Sequence, residues 1–211
     1  MTLSATGTAS LVQIQGIRPQ RDRAERCDLC AAELIAEHNH LIESGSRRIA
    51  CACRACSSLF QSSANRKLKQ IPQRVVLLAD FLLSEEQWQA LGIPVGLAFI
   101  VKPEPGDSAL AMCPSAAGLI ESSIEARAWA AISNANPRLG RMECEVEALL
   151  VNRLKNDPLH SPGEYYIAPI DECYKLAGLI RANWRRFSGG SELLNKLGQF
   201  FHDLKQRATQ S

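Results

Sequence analysis

A chain of 211 residues, 46% hydrophobic and 22% charged, has room for one ordinary domain plus a small appendage and is too apolar for bulk disorder. Its formal net charge of +2 gives no global case for nucleic-acid or membrane binding. Residues 1–15 lack a basic start followed by a long apolar run, and no stretch of about 18 uncharged apolar residues occurs, so neither a secretory signal nor a membrane span is expected.

The first 20 residues, rich in Ser, Thr, Ala and Gly, read as a flexible lead-in. A cysteine-rich module follows over residues 21–62. Gln61 to Gln70 then forms a polar, basic connector, and residues 72–208 form an α+β domain. From Arg18 to Arg74 there are eleven Lys/Arg against six Asp/Glu. Four thiolates around a divalent ion would add about −2, leaving a weak basic surface.

In the second domain, Val75–Leu78 is a short strand. Ser84-Glu-Glu starts a helix that ends near Gly92, and Val95–Val101 is a buried strand. A turn at Pro103–Asp107 leads to Leu110–Cys113, which suggests a hairpin. A helix is expected over Ser123–Ile132, ending before Asn136-Pro137. Val146–Leu154 reads as a strand, although Glu145–Leu150 fits the start of a helix equally well. Tyr165–Ile170 reads as a strand with Pro169 near its end. After Asp171, a suitable N-cap, Cys173, Leu176, Ala177, Ile180 and Trp184 share one helical face. Gly189-Gly190 breaks the chain. Ser191 can cap a last helix striped by Leu193, Leu194, Leu197, Phe200, Phe201 and Leu204. These elements predict an antiparallel or mixed sheet with helices packed on one side.

The chemistry lies in the module. Cys27-Asp-Leu-Cys30 and Cys53-Arg-Ala-Cys56 are two C-x2-C pairs separated by 22 residues. Each pair brings two sulfurs to one ion while backbone amides donate to them, and two pairs complete the tetrahedron of a closed structural zinc site. Some 30 residues bury too little apolar area to fold alone, so metal binding would supply the folding energy. A treble-clef or zinc-ribbon-like arrangement is expected. The first pair sits on a knuckle, a hairpin follows, and the second pair opens a helix near Arg54, whose amino terminus favours thiolates. Without export the eight cysteines belong in a reducing cytoplasm, where clustered thiols bind metal or do redox chemistry.

Cys51 is a third thiol for two positions: an alternate to Cys53, a redox-sensitive spare, or a half-buried strand cysteine. His38 and His40 alternate, so in a strand they face one side. They are further alternates, for a second metal or a general base. The structural reading has one hydrogen-bonded within the module and the other solvated. Cys113, Cys144 and Cys173 lack paired spacing and read as core residues, and His160 and His202 are isolated. Asp171 beside Glu172 is explained by a helix start. Arg181, Trp184, Arg185 and Arg186 read as a solvated helix end.

Three function classes fit. An accessory protein acting through protein contacts needs no catalytic constellation, and none is visible; a protein partner is then expected and nucleic acid is not. The order C-x2-C, histidine pair, C-x2-C is similar to zinc-stabilised HNH endonucleases, with His38 or His40 at the general-base position. Ser57-Ser-Leu-Phe, however, offers no histidine for a catalytic metal, and Asn65 is the nearest candidate. Iron in the same thiolates would resemble a rubredoxin electron carrier. Ala31 and Ser57 stand where rubredoxin knuckles carry Gly.

Larger blocks add a resemblance. The module from Cys27 through His38-Asn-His-Leu41 to Cys56 carries it first, with Ile93-Pro-Val-Gly-Leu-Ala98 and Pro114-Ser-Ala-Ala-Gly118. Glu147–Arg153, Pro169–Tyr174, Trp184 and Phe187-Ser-Gly-Gly190 complete it. Together they resemble an uncharacterised bacterial family whose members accompany hydrogen-scavenging nickel–iron hydrogenases. The likeness spans about residues 18–208. It implies a role in assembling, maturing or supporting such an enzyme, with its subunits or maturation factors as partners, and no transferable activity. Ala31 and Ala116 depart from the family's Gly and Pro.

Overall fold

The computed structural model describes residues 11–12, 25–60, 67–103, 108–154, 163–184 and 191–210. They form an α+β fold with two sheets. In chain order the elements are β1 (Leu11–Val12), β2 (Asn39–Glu43), β3 (Ile49–Ala52), α1 (Arg54–Ser58), β4 (Leu68–Gln70), β5 (Val76–Leu77) and α2 (Glu85–Ala90). There follow β6 (Leu97–Val101), β7 (Leu110–Ser115), β8 (Gly118–Ser123), α3 (Ala126–Ala135) and a 3-10 turn at Pro137–Arg141. The chain continues through β9 (Glu147–Asn152), β10 (Glu164–Pro169), α4 (Ile170–Asn183), α5 (Ser191–Arg207) and β11 (Thr209–Gln210).

The large sheet has the order β1-β8-β7-β6-β9-β10-β5-β11, with every pair antiparallel except β11 against β5. Its central strands alternate between two cores, as a period-2 strand requires. Leu97, Phe99, Val101, Ala148, Leu150, Tyr166 and Ala168 face one core. Ala98, Ile100, Leu149, Val151, Tyr165 and Ile167 face the other. Cys173, Leu176, Ala177 and Ile180 of α4 cover the first face, with Leu193, Leu197, Phe201 and Leu204 of α5. Trp88 of α2 and Ile132 of α3 cover the second. Helices therefore lie on both faces, not on one as expected. Runs such as Leu-Ala-Phe-Ile-Val leave neither face able to meet water.

Two local expectations are corrected and one open alternative is decided. The helix expected from Ser123 begins at Ala126, because 118–123 form β8 against β7. Val146–Leu154 resolves as the strand β9, held between β6 and β10. Helix α4 begins at Ile170 directly after Pro169, so Asp171 is not its N-cap but lies in the first turn. Ser84 does cap α2, in a reciprocal capping box with Gln87. The turn at 104–107, Gly189-Gly190 and the lead-in at 1–10 and 13–20 lie outside the described residues.

The small sheet, β3-β2-β4, takes its third strand from the segment expected as connector. Ile42 and Ile71 enter the same core as α4 and α5. Ion pairs tie this sheet to the large one. Ser44 Oγ donates to Glu145 Oε2 at 2.7 Å, and Lys69 Nζ lies 2.6 Å from the same oxygen. Arg47 donates to Glu121. Beyond β4, Arg74 donates to both oxygens of the fully buried Glu147, at 2.6 and 2.8 Å. Among the described residues, no helix is long and apolar enough to cross a membrane.

Candidate metal centre

The first cysteine pair lies on a tight turn. Cys27 N–H donates to Ala32 O and Ala31 N–H to Cys27 O, both at 2.8 Å, and Ala31 adopts φ 62° to close it. Asp28, within the turn, anchors it to β3: its N–H donates to Cys51 O at 2.9 Å, and its Oδ2 accepts from Cys51 N–H at 2.7 Å. Hairpin β2–β3 then carries the chain to Cys53, which is the N-cap of α1 and accepts from Cys56 N–H through its own sulfur at 3.4 Å.

These turns bring Cys27, Cys30, Cys53 and Cys56 together, with all four sulfurs within 4.8 Å of one another. Cys30 and Cys53 are 3.7 Å apart at Sγ. A tetrahedral ion with metal–sulfur bonds near 2.3 Å sets its sulfurs about 3.8 Å apart, so the donors fit such an ion. Burial raises the Cys27 thiol, but amide donation from Cys53, Leu29 and Cys30 outweighs it and lowers the pKa to about 6. Cys56, sharing protons with Cys53 and Cys30 and further penalised by burial, is raised to about 12. Four thiols in one place cannot all ionise by themselves, and a cation relieves that repulsion. The cluster can thus hold a metal such as zinc or iron.

Cys51 is not among these four. It stands opposite His40 in the hairpin register and gathers instead with His38 and His40, one donor atom of each lying within 4.8 Å of the others. The histidine rings meet edge to face with centroids 4.8 Å apart. His38 Nδ1 lies 3.0 Å from Ile35 O, within the module. The expectation that the other ring is solvated is overturned: His40 Nδ1 lies 2.7 Å from Asp171 Oδ2, on α4. That hydrogen bond, and then Cys51, raise the His40 pKa to about 9 against the opposing effect of burial. Asp171 is the site residue that local sequence patterns miss, since nothing near it in the chain signals a partner 131 residues away.

The remaining candidates do not assemble. Cys113 and Cys173 are buried, with burial pushing both thiols up, and Cys144 is half-buried. Glu172 bonds Lys175 and Arg207, and His202 is exposed on α5. Asn65, His160, Arg185 and Arg186 lie outside the described residues.

The model of a family of unknown function, DUF5947, matches residues 26–208. The chain belongs to this family. No curated protein and no solved structure matches it. The DUF5947 match runs from the residue before the first cysteine into the link between α5 and β11, so it spans the cysteine cluster and the large sheet except its edge strands β1 and β11.

Proposed function

We propose that this DUF5947 protein is a zinc-binding accessory protein that acts through protein contacts, with Cys27, Cys30, Cys53 and Cys56 as the ligands. The convergence of four sulfurs on one tetrahedral volume carries the reading. The order of knuckle, hairpin and helix opening at the second pair supports a treble-clef-like module over residues 21–62, followed by the domain at 72–208. Zinc is favoured over iron because the Gly usual after the second cysteine of rubredoxin knuckles is replaced by Ala31 and Ser57. Leu29, Ile35 and Leu59, large apolar side chains of the module, are exposed and suit a protein partner. The blocks shared with the family that accompanies nickel–iron hydrogenases point to assembly, maturation or support of such an enzyme, in the cytoplasm.

Elemental analysis of the native protein tests the metal, and affinity capture with purified hydrogenase subunits and maturation proteins tests the setting. At least one zinc per chain and saturable capture are expected. One iron with a red colour would put electron transfer in place of the accessory role. Absence of capture by every hydrogenase component would remove the hydrogenase setting.

A further inference from the structure

We propose that His38, His40 and Cys51 form a second cation site, separate from the four-thiolate cluster and open at one coordination position. The three donors lie within 4.8 Å of one another and share no atom with the first cluster. Both imidazoles are already oriented through Nδ1. A backbone carbonyl only accepts, so the 3.0 Å contact with Ile35 O places the proton of His38 on Nδ1 and leaves Nε2 as a lone pair. The 2.7 Å contact with Asp171 Oδ2 holds a proton on Nδ1 of His40, so a cation would take the place of the Nε2 proton. Nδ1 held by a carbonyl or carboxylate, with Nε2 free, is how metal-bound histidines are held in register.

The observation that points to a ligand is His38 Nε2. The side chain is only 7% exposed, and Nε2 is buried with no hydrogen-bond partner. A buried acceptor left in that state is destabilising, and natural structures avoid it. Neither Cys51 nor His40 satisfies His38 Nε2 as the groups stand. A cation accepts from both nitrogens and from the sulfur at once.

Two imidazoles and a thiolate suit a borderline divalent first-row cation, with zinc first among them. The Cys51 thiolate cancels one of its charges, and Asp171 behind His40 offsets the other. Three protein donors leave a fourth position for water or a ligand, unlike the closed set of four sulfurs. An open cleft lined by Glu37, His38, Asn39, Cys53 and Arg54 borders His38, while His40 and Cys51 lie outside its lining.

The test is a Zn²⁺ titration of the metal-free full-length protein, with alkylation of each cysteine read by mass spectrometry. Cys51 should become protected in a phase of its own, distinct from that of Cys27, Cys30, Cys53 and Cys56. His38→Gln/His40→Gln should weaken Cys51 protection at least tenfold and leave the other four protected. Reading cysteine by cysteine separates the two sites: failure of the four-thiolate cluster leaves Cys51 protected and those four exposed. Cys51 alkylated equally fast with and without excess Zn²⁺ in the wild-type protein overturns the proposal, whether or not the variant folds. So does protection of Cys51 that the double substitution leaves unchanged.

Discussion

His40 and Asp171 are 131 residues apart in sequence and 2.7 Å apart at Nδ1 and Oδ2, and both side chains are largely shielded from solvent. This hydrogen bond joins the cysteine module to the first turn of α4. Removing the carboxylate by Asp171→Ala is expected to cost about 2 kcal/mol, the usual worth of a charge-assisted bond. A denaturation double-mutant cycle with His40→Ala should return a coupling of similar size. Additive effects of the two substitutions would show that the pair contributes orientation and no stability.

Cys53 has two roles, as a sulfur of the cluster and as the N-cap of α1. Cys53→Ser is expected to lose the metal of the four-thiolate cluster and unfold the module, while the large sheet persists. Cys113 and Cys144 alkylation and limited proteolysis report the two regions separately. Full metal content at that cluster in the variant would refute the ligand set.

Ala31 holds φ 62°, a left-handed conformation that costs a residue with a Cβ roughly 1 kcal/mol. Ala31→Gly should relieve it. Because folding of the module and metal binding are linked, zinc affinity should rise about fivefold. Competition titration with a chromophoric chelator measures this, and unchanged or weaker affinity counts against a strained knuckle.

Glu147 is 0% exposed at its side chain and accepts from Arg74 through both oxygens, and from the Glu143 N–H at 2.9 Å. Arg74→Met leaves a buried carboxylate without its cation, at a cost of about 3 kcal/mol. Adding Glu147→Gln to that variant should recover much of the loss. Equal urea midpoints for the single and double variants would contradict this.

Burial raises the Glu145 carboxyl, but Lys69 and Ser44 outweigh it and hold the group below its ordinary value of 4.5. A carboxylate with a depressed folded pKa contributes stability that is present above the unfolded value and lost as pH falls through the folded one. The stability difference between wild type and Glu145→Gln should therefore be largest near neutrality and shrink below about pH 4.5. A difference constant from neutrality into acid would reject the linkage.

What was legible in the chain was local. The C-x2-C spacing announced the cluster, since two short turns need no distant information to place their sulfurs. Ser84-Glu-Glu marked the start of α2, and apolar runs marked β6 and β10. Gly118–Ser123 does not read as a strand because only Leu119 and Ile120 in it are large and apolar; its place comes from pairing along the whole of β7. Leu68–Gln70 reads as polar connector for the same reason, its three residues being only half-buried against β2. Asp171 carries the signature of a helix cap, and α4 begins two residues too early for it to serve as one. Its acceptor was used across the fold instead.

The pairing of β5 also bears on the order in which the parts come to exist. Val76 and Leu77 lie between β10 and β11, strands from the last third of the chain. During synthesis the amino-terminal part emerges first. The four sulfurs of the cluster, all within residues 27–56, are available to an ion while the strands that flank β5, and Asp171, are still unmade. The thiolate centre can be loaded on a nascent chain. His40 reaches its final setting only after α4 has been translated and docked.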